Sequence, residues 1–484
     1  MSNTTSSTSL VRGLGLTAAV SIVIGDVIGT GVFLKARVMT CNVETPLLVL
    51  TVWIVAGLLS LAGALTYGEL AAMMPRAGGE YVFVREAYGR AWAFLFGWMR
   101  FFIGNTGGVA ALAAGLAIFL NVLAAGSLAT TLFRLDVAGL HYSLSGVQAV
   151  AIGAIATVTL INSAAVTVGG RIASVLATLK VVLILGLGTA ALVFAPGDWA
   201  QLAHSGAGGA CEGVAAAARG GIAGFGAAMM AALWAYNGWN EMTYVSGEIG
   251  NPNRNLPLAL ITGIGIVGML YVFVNTAYFY VLAPATVASV PLSSSVATET
   301  VARFLGPAAV KVMAGALVIS IFSALHVASL VHARVPYAMA SDGVFFRALG
   351  RLSPRTRVPV RALVAQSAWA VVLVLSGSFD ALTDYAIFSI LLFSALIASS
   401  IFVLRMRMPD ADRPYRTWGY PVTPALFLLM VGYLLVNAFV TAPVQAFTGL
   451  ALILAGLPFY WYWTKDERRG PKVEGRLRVR RPEL

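Results

Sequence analysis

The stretch LWAYNGWNEM, residues 233–242, interrupts a helix-length apolar segment otherwise built from Ala, Gly, Ile and Met. Asn237 and Asn240 are costly in an apolar setting without partners, and Asn237-Gly238 is turn chemistry. The stretch therefore predicts a helix that opens in its middle.

The surroundings are those of a membrane. Of the 484 residues, 59% are hydrophobic and only 11% charged, and the mean hydropathy is +0.84. Apolar runs of about 20 residues, enough to cross ~30 Å of hydrocarbon, recur about twelve times. They cover residues 14–39, 46–73, 91–124, 147–166, 171–195, 220–247, 256–283, 308–340, 359–377, 382–405, 423–442 and 445–464, and are numbered segments 1 to 12 below. None alternates like a barrel strand, so the expected fold is an all-α integral membrane bundle.

The net charge of +12 raises the question of nucleic acid. With both termini placed in the cytoplasm, most of the 32 Lys and Arg fall in cytoplasmic loops and tails. This positive-inside bias orients a multi-pass protein of the cell membrane. The basic stretches RLSPRTRVPVR and TKDERRGPKVEGRLRVRRPEL read as solvated surfaces against anionic headgroups, with no nucleic-acid partner expected. Residues 1–12 read as a disordered cytoplasmic tail and 465–484 as a basic one. Cys41 and Cys211 both fall on the predicted outer side. A disulfide is open to them in an oxidising compartment, but no sequence argument brings them together.

A second flawed segment matches the first. In segment 1, IGDVIGTGVF, residues 24–33, carries Gly25, Gly29, Gly31 and the Thr30 hydroxyl. Segments 1 and 6 lie five apart, so each opens one five-helix half, and an odd number makes the halves enter the membrane from opposite sides. Paired broken helices of this kind point to a transport site at the midplane. Opening a helix frees N–H groups on one half and C=O groups on the other. An amino acid carboxylate would lie against the N–H groups at Ile28, Gly29, Thr30 and Gly31. Its ammonium would meet carbonyls around Trp234, Ala235 and Tyr236. For segment 1 alone, Gly25 and Gly29 also fit GxxxG packing without any unwinding.

Ionisable residues sharpen the picture. Lys180 lies nine residues beyond Arg171, about 14 Å along a helix and near mid-bilayer. It is either a fixed cation bridging helices or a group that loses and regains a proton; the residues alone leave both open. Asp26, one turn before the break, and His326 are candidate proton or charge sites. Glu69, Arg100 and Glu241 read as structural ion pairs, and His332 as packing near the inner end of segment 8. HExxH, CxxC, GxSxG and GxxxxGK[ST] are all missing, so no metal, cofactor or enzymatic reaction is expected. GIGIVG at 263–268 matches GxGxxG inside an apolar helix and reads as packing.

Several blocks together resemble the amino acid-polyamine-organocation superfamily, and above all its L-type amino acid transporter family. GDVIGTGVF resembles the family's helix 1 signature. GALTYGELAAMMPRAGGEYVFVREAYG (63–89), YNGWNEMTYVSGEIGNPNRNLPLAL (236–260) and ARVPYAMASDG (333–343) are similar to its helix 2 end, its helix 6–7 region and its helix 8 end. The resemblance implies a LeuT-type 5+5 inverted repeat with unwound helices 1 and 6. Residues 13–195 and 219–405 would be the halves, and 423–464 two added helices. It implies carboxylate binding at Gly29, Thr30 and Gly31, amine binding at the Trp234–Tyr236 carbonyls, and Trp234 as an aromatic gate. Lys180 matches a helix 5 lysine that takes the region of a sodium site in sodium-independent members.

Departures from the pattern matter. The loop AAGSLATTLFRLDVAGLHYS has no cysteine, so the disulfide-linked heavy chain of animal relatives is not expected, and a single-chain bacterial monomer is. Ala328 stands where relatives often place a hydroxyl near the lysine, with Ser329 one residue later, which leaves the lysine's partner open. Asn105, Asn237, Tyr236 and Ser323 are neutral pocket candidates and favour neutral amino acids, whereas Asp26 leaves room for cationic ones. The expected activity is exchange of L-amino acids by alternating access, with proton-coupled symport as the alternative and a channel or membrane enzyme as competing classes.

Overall fold

Helix starts follow the caps that the loops supply. Thr45 accepts from the Leu48 N–H ahead of Pro46, and Ser145 with Gln148 forms a capping box. Asn251 takes a left-handed conformation before Pro252. The computed structural model describes residues 10–137, 140–204, 206, 208–291, 294–376, 379–441 and 443–468. Both expected tails therefore lie largely outside the described residues.

Each of the twelve apolar segments contains helix. Nine helices among the described residues are long and apolar enough to cross a membrane, or ten if the bent pair Leu16–Val27 and Gly31–Val43 is one span. Segments 6 and 9 are shorter. The break cuts segment 6 to Gly221–Tyr236, and segment 9 is Val360–Ser376. Beyond the break, segment 6 continues as a 3-10 helix, Trp239–Glu248. There the Thr243 and Ser246 hydroxyls donate to carbonyls three residues back, at 2.7 and 2.6 Å, in competition with the α-helical ladder.

The helical bundle carries one small addition of strand. Between segments 3 and 4, Thr131–Val137 and Leu140–Ser145 form an antiparallel hairpin, with Arg134 opposite Ser143. Phe133, Leu135 and Val137 alternate with Arg134 and Asp136, a period of two that suits a strand and no helix.

Two long packings hold the core. Pro252–Val281 lies along Pro46–Met73, and Ala309–His332 lies along Asn105–Leu123. The end of the bundle that carries Leu14 is tied by backbone bonds. Leu14 N–H donates to the Glu248 carbonyl at 3.0 Å, and Gly250 N–H to the Leu14 carbonyl at 2.9 Å. At the opposite end Cys41 and Cys211 are joined as a disulfide across 170 residues of chain. Cys41→Ser is expected to remove about 2–5 kcal/mol of stability, read as a lower melting temperature. Dithiothreitol should lower the wild type equally and leave the variant unmoved; an unchanged melt in both would show that the cross-link adds nothing.

Candidate functional site

The first break is built by a redirected amide. Leu16–Val27 ends where Gly29 N–H turns to the Val27 carbonyl, at 2.9 Å, instead of reaching back to Gly25. Gly31–Val43 then leaves at an angle of 46°. Side chains meet several of the carbonyls released by this turn. Lys180 Nζ donates to Gly25 O at 2.6 Å and also to Ile28 O. Ser320 Oγ lies 3.3 Å from both Ile28 O and Gly29 O. The amides are the opposite case: the N–H groups of Thr30, Gly31 and Val32 have no acceptor among the described residues, as expected at the start of a helix.

The second break faces the first. Asn237 is extended and Gly238 has φ +113°, a conformation that favours glycine. A Cβ on Gly238 would sit 3.3 Å from the backbone and side-chain carboxyl carbons of Asp26, and one on Gly31 only 2.6 Å from the Ala235 Cβ. The two breaks thus touch through a glycine on each side. One hydroxyl spans them. Tyr271 OH, from Pro252–Val281, lies 3.2 Å from Val27 O and 3.0 Å from Ala235 O.

Solvent reaches part of this junction. Asn237 is exposed, and Asp26, Gly29 and Thr30 are half-buried. Trp234 is 44% exposed, with Lys35 Nζ 4.5 Å from its ring centroid. Other expected residues are turned elsewhere. Tyr236 is buried and donates to Trp53 O at 3.1 Å. Asn105 is buried with Oδ1 3.5 Å from Arg100 Nη1. His326 Nε2 bonds the Gly169 carbonyl at 3.0 Å, away from the break. Ser323 is buried over Gly25 with its Oγ unpartnered. Lys180 takes its partners from the main chain, and the helix 8 hydroxyl beside it is Ser320. Neither Ala328 nor Ser329 holds it, because both lie two turns further along.

Tyr271 and Ser320 carry no signal in the sequence. Each is one polar atom in an apolar helix, and only the carbonyls opposite give it a task. Tyr271→Phe removes the donor shared by Val27 O and Ala235 O. Leaving a buried carbonyl unsatisfied costs about 1–3 kcal/mol, so substrate affinity should fall by roughly tenfold in a binding titration, and unchanged affinity would remove Tyr271 from the site.

A family model for amino acid permeases matches residues 14–462. The chain belongs to that family. The permease is 30% identical over 461 residues to the serine/threonine exchanger SteT of Bacillus subtilis (strain 168), covering 94% of this chain and 98% of that protein. It is 28% identical to the b(0,+)-type amino acid transporter 1 of Mus musculus, over 94% and 88% of the two chains. It is 27% identical to the large neutral amino acids transporter small subunit 2 of Homo sapiens, over 94% and 81%.

Towards the Leu14 end the permease carries a buried ionic lattice. Arg100, at the start of a π-helical turn, donates to Glu80 and to Glu241, each at 3.1 Å. Glu241 also bonds His332 Nε2 at 2.5 Å. Glu80 accepts from Asn240 at 2.8 Å and Tyr244 at 2.6 Å. Arg334 grips Glu248 through two bonds of 2.7 and 3.0 Å. Glu69 is paired with Arg405 at 2.9 and 2.7 Å. The structural reading of Glu69, Arg100 and Glu241 is therefore borne out. His332 is a hydrogen-bond partner of Glu241 rather than simple packing.

Proposed function

We propose that this permease is a sodium-independent secondary carrier of neutral L-amino acids that exchanges one amino acid for another by alternating access. The observation that carries the reading is the Lys180 side chain lodged on the Gly25 and Ile28 carbonyls. These oxygens would otherwise serve a coupling cation. The unpaired amides of Thr30, Gly31 and Val32 offer a carboxylate site, and the helix end at Trp234–Tyr236 offers carbonyls and a negative dipole to the ammonium. Asn237 is the side chain best exposed to read the substrate, with Trp234 as the gate. The relative named as a serine/threonine exchanger favours exchange and small polar substrates.

In this reading segments 1 to 12 all cross the membrane. Residues 13–195 and 219–405 are inverted halves, and 423–464 lie outside them. The basic loops favour cytoplasmic termini in the cell membrane. The Leu14 end is then the inner end, closed by the Leu14, Glu248 and Gly250 bonds, while Trp234 and Asn237 face an outward-open approach. A monomer without a heavy chain fits the engagement of Cys41 and Cys211 with each other.

The test uses purified protein in liposomes, with radiolabelled L-serine outside and unlabelled L-serine either inside or absent. Exchange predicts uptake only into loaded vesicles, unchanged when choline replaces sodium. Asp26 beside the break favours a second reading, proton symport. Uptake into empty vesicles driven by an acidic exterior would select it over exchange. A thermal-shift screen against all amino acids then ranks ligands, because a ligand of the folded state raises its stability by mass action.

A further inference from the structure

Lys35 is a charge without a counter-charge at the approach to the site. It belongs to Gly31–Val43, the second half of segment 1, and lies one turn beyond Gly31 on the same face. The Trp234 ring fills the space in front of Gly31: a Cβ there would sit 3.6 Å from Trp234 Cζ3. Lys35 Nζ stands over that ring, 4.5 Å from its centroid. The glycine admits the ring, and the lysine covers it.

Lys35 is half-buried, yet among the described residues its ammonium makes no hydrogen bond and no ion pair beside this ring contact. The other cation of the half-helix, Arg37, is taken up by Glu212 O at 2.7 Å. Contact with a ring face is attractive but does not cancel a charge. A lysine that only snorkels carries its head to open water, whereas this head lies back over the gate. The ring is 44% exposed and adjoins the unpaired amides of Thr30 and Gly31, so a ligand that reaches them passes the ammonium. In a partly desolvated approach an uncompensated cation acts on any charge that comes near.

We infer that Lys35 is a charge filter at the approach to the site, which turns away amino acids with a cationic side chain and admits neutral ones. The carboxylate and ammonium of a neutral amino acid largely cancel before the filter, whereas a cationic side chain adds one unopposed positive charge. Asp26, at the contact of the breaks, would by itself favour such a side chain, and Lys35 opposes it. The inference rests on the proposed amino acid exchange and names the residue that sets its substrate class.

Two probes separate charge from size: L-homoserine and L-2,4-diaminobutyrate have side chains of equal length and differ in a hydroxyl against an ammonium. Each competes with labelled L-serine, both for binding to the purified protein in micelles and for uptake into L-serine-loaded liposomes. The quantity read is the ratio of the two half-inhibitory concentrations, so a general loss of affinity in a variant cancels. In the wild type diaminobutyrate should be the weaker by at least about tenfold. Lys35→Gln should bring the ratio to within about threefold of one, and Lys35→Arg should keep it, because the charge is restored. A wild-type ratio near one overturns the inference without any variant, and so does a Lys35→Gln ratio equal to that of the wild type. A ratio lost equally in Lys35→Arg assigns the effect to packing on Trp234 and also overturns it. L-serine exchange with a ratio near one removes the filter alone. A ratio that Lys35→Gln abolishes, seen in binding without any uptake, removes the exchange reading alone. Absence of binding by L-serine and by both probes overturns both.

Discussion

Lys180→Ala is expected to lower L-serine exchange in proteoliposomes by at least about 100-fold while the protein still elutes as a folded species. Lys180 is 1% exposed, and its Nζ donates to Gly25 O and Ile28 O at the turn that redirects segment 1. Alanine leaves both carbonyls buried, with only Ser320 near one of them. An unsatisfied buried acceptor costs about 1–3 kcal/mol, so losing the lysine donor from Gly25 O and one of two donors from Ile28 O shifts the population of the bent state by on the order of two decades. The cavity left behind is lined by oxygens and open to a small cation. Partial rescue by sodium or lithium is therefore expected in the variant and not in the wild type. Near-normal exchange by Lys180→Ala would reduce the lysine to a packing element.

Arg100→Met should have the largest effect on stability. Arg100 is 2% exposed and is the direct cationic partner of both Glu80 and Glu241. Methionine retains much of the volume but leaves two buried carboxylates without the guanidinium, facing hydroxyl, amide and imidazole groups. Removing one member of a buried ion pair costs about 3–5 kcal/mol, enough to lower the melting temperature sharply or to prevent accumulation. Glu80→Gln in the same chain should recover part of the loss, since the second substitution removes one stranded charge. If Arg100→Met melts with the wild type, the lattice contributes nothing net to stability.

Particular residues indicate how far the sequence can be read. Asn237-Gly238 announces the second break because a turn pair is costly inside an apolar helix unless the helix opens there, and the helix does open at Asn237. Gly25, Gly29 and Gly31 are equally compatible with plain packing; the bond from Gly29 N–H to Val27 O decides for a break. Glu241 and Arg100 can be assigned to ion pairs on chemistry, but not to each other across 141 residues of chain. The hairpin at Thr131–Ser145 has a legible period-two pattern, which apolar run length does not register. The partner of Lys180 lies in the main chain and not among helix 8 side chains, and no side-chain pattern can reveal a carbonyl.

The sequence by itself determined the membrane setting, the helical class, the family and the position of the second break. These follow from composition and local backbone chemistry, which depend on neighbours along the chain. Only the tertiary structure decided which groups meet at the breaks: Tyr271 across Val27 and Ala235, Ser320 over Ile28 and Gly29, Lys180 on Gly25, and Asp26 against Gly238. The disulfide between Cys41 and Cys211 belongs to the same class. Each is a contact between residues far apart in the chain, and its existence depends on helix rotation and close approach at glycines, to which hydrophobic periodicity is blind.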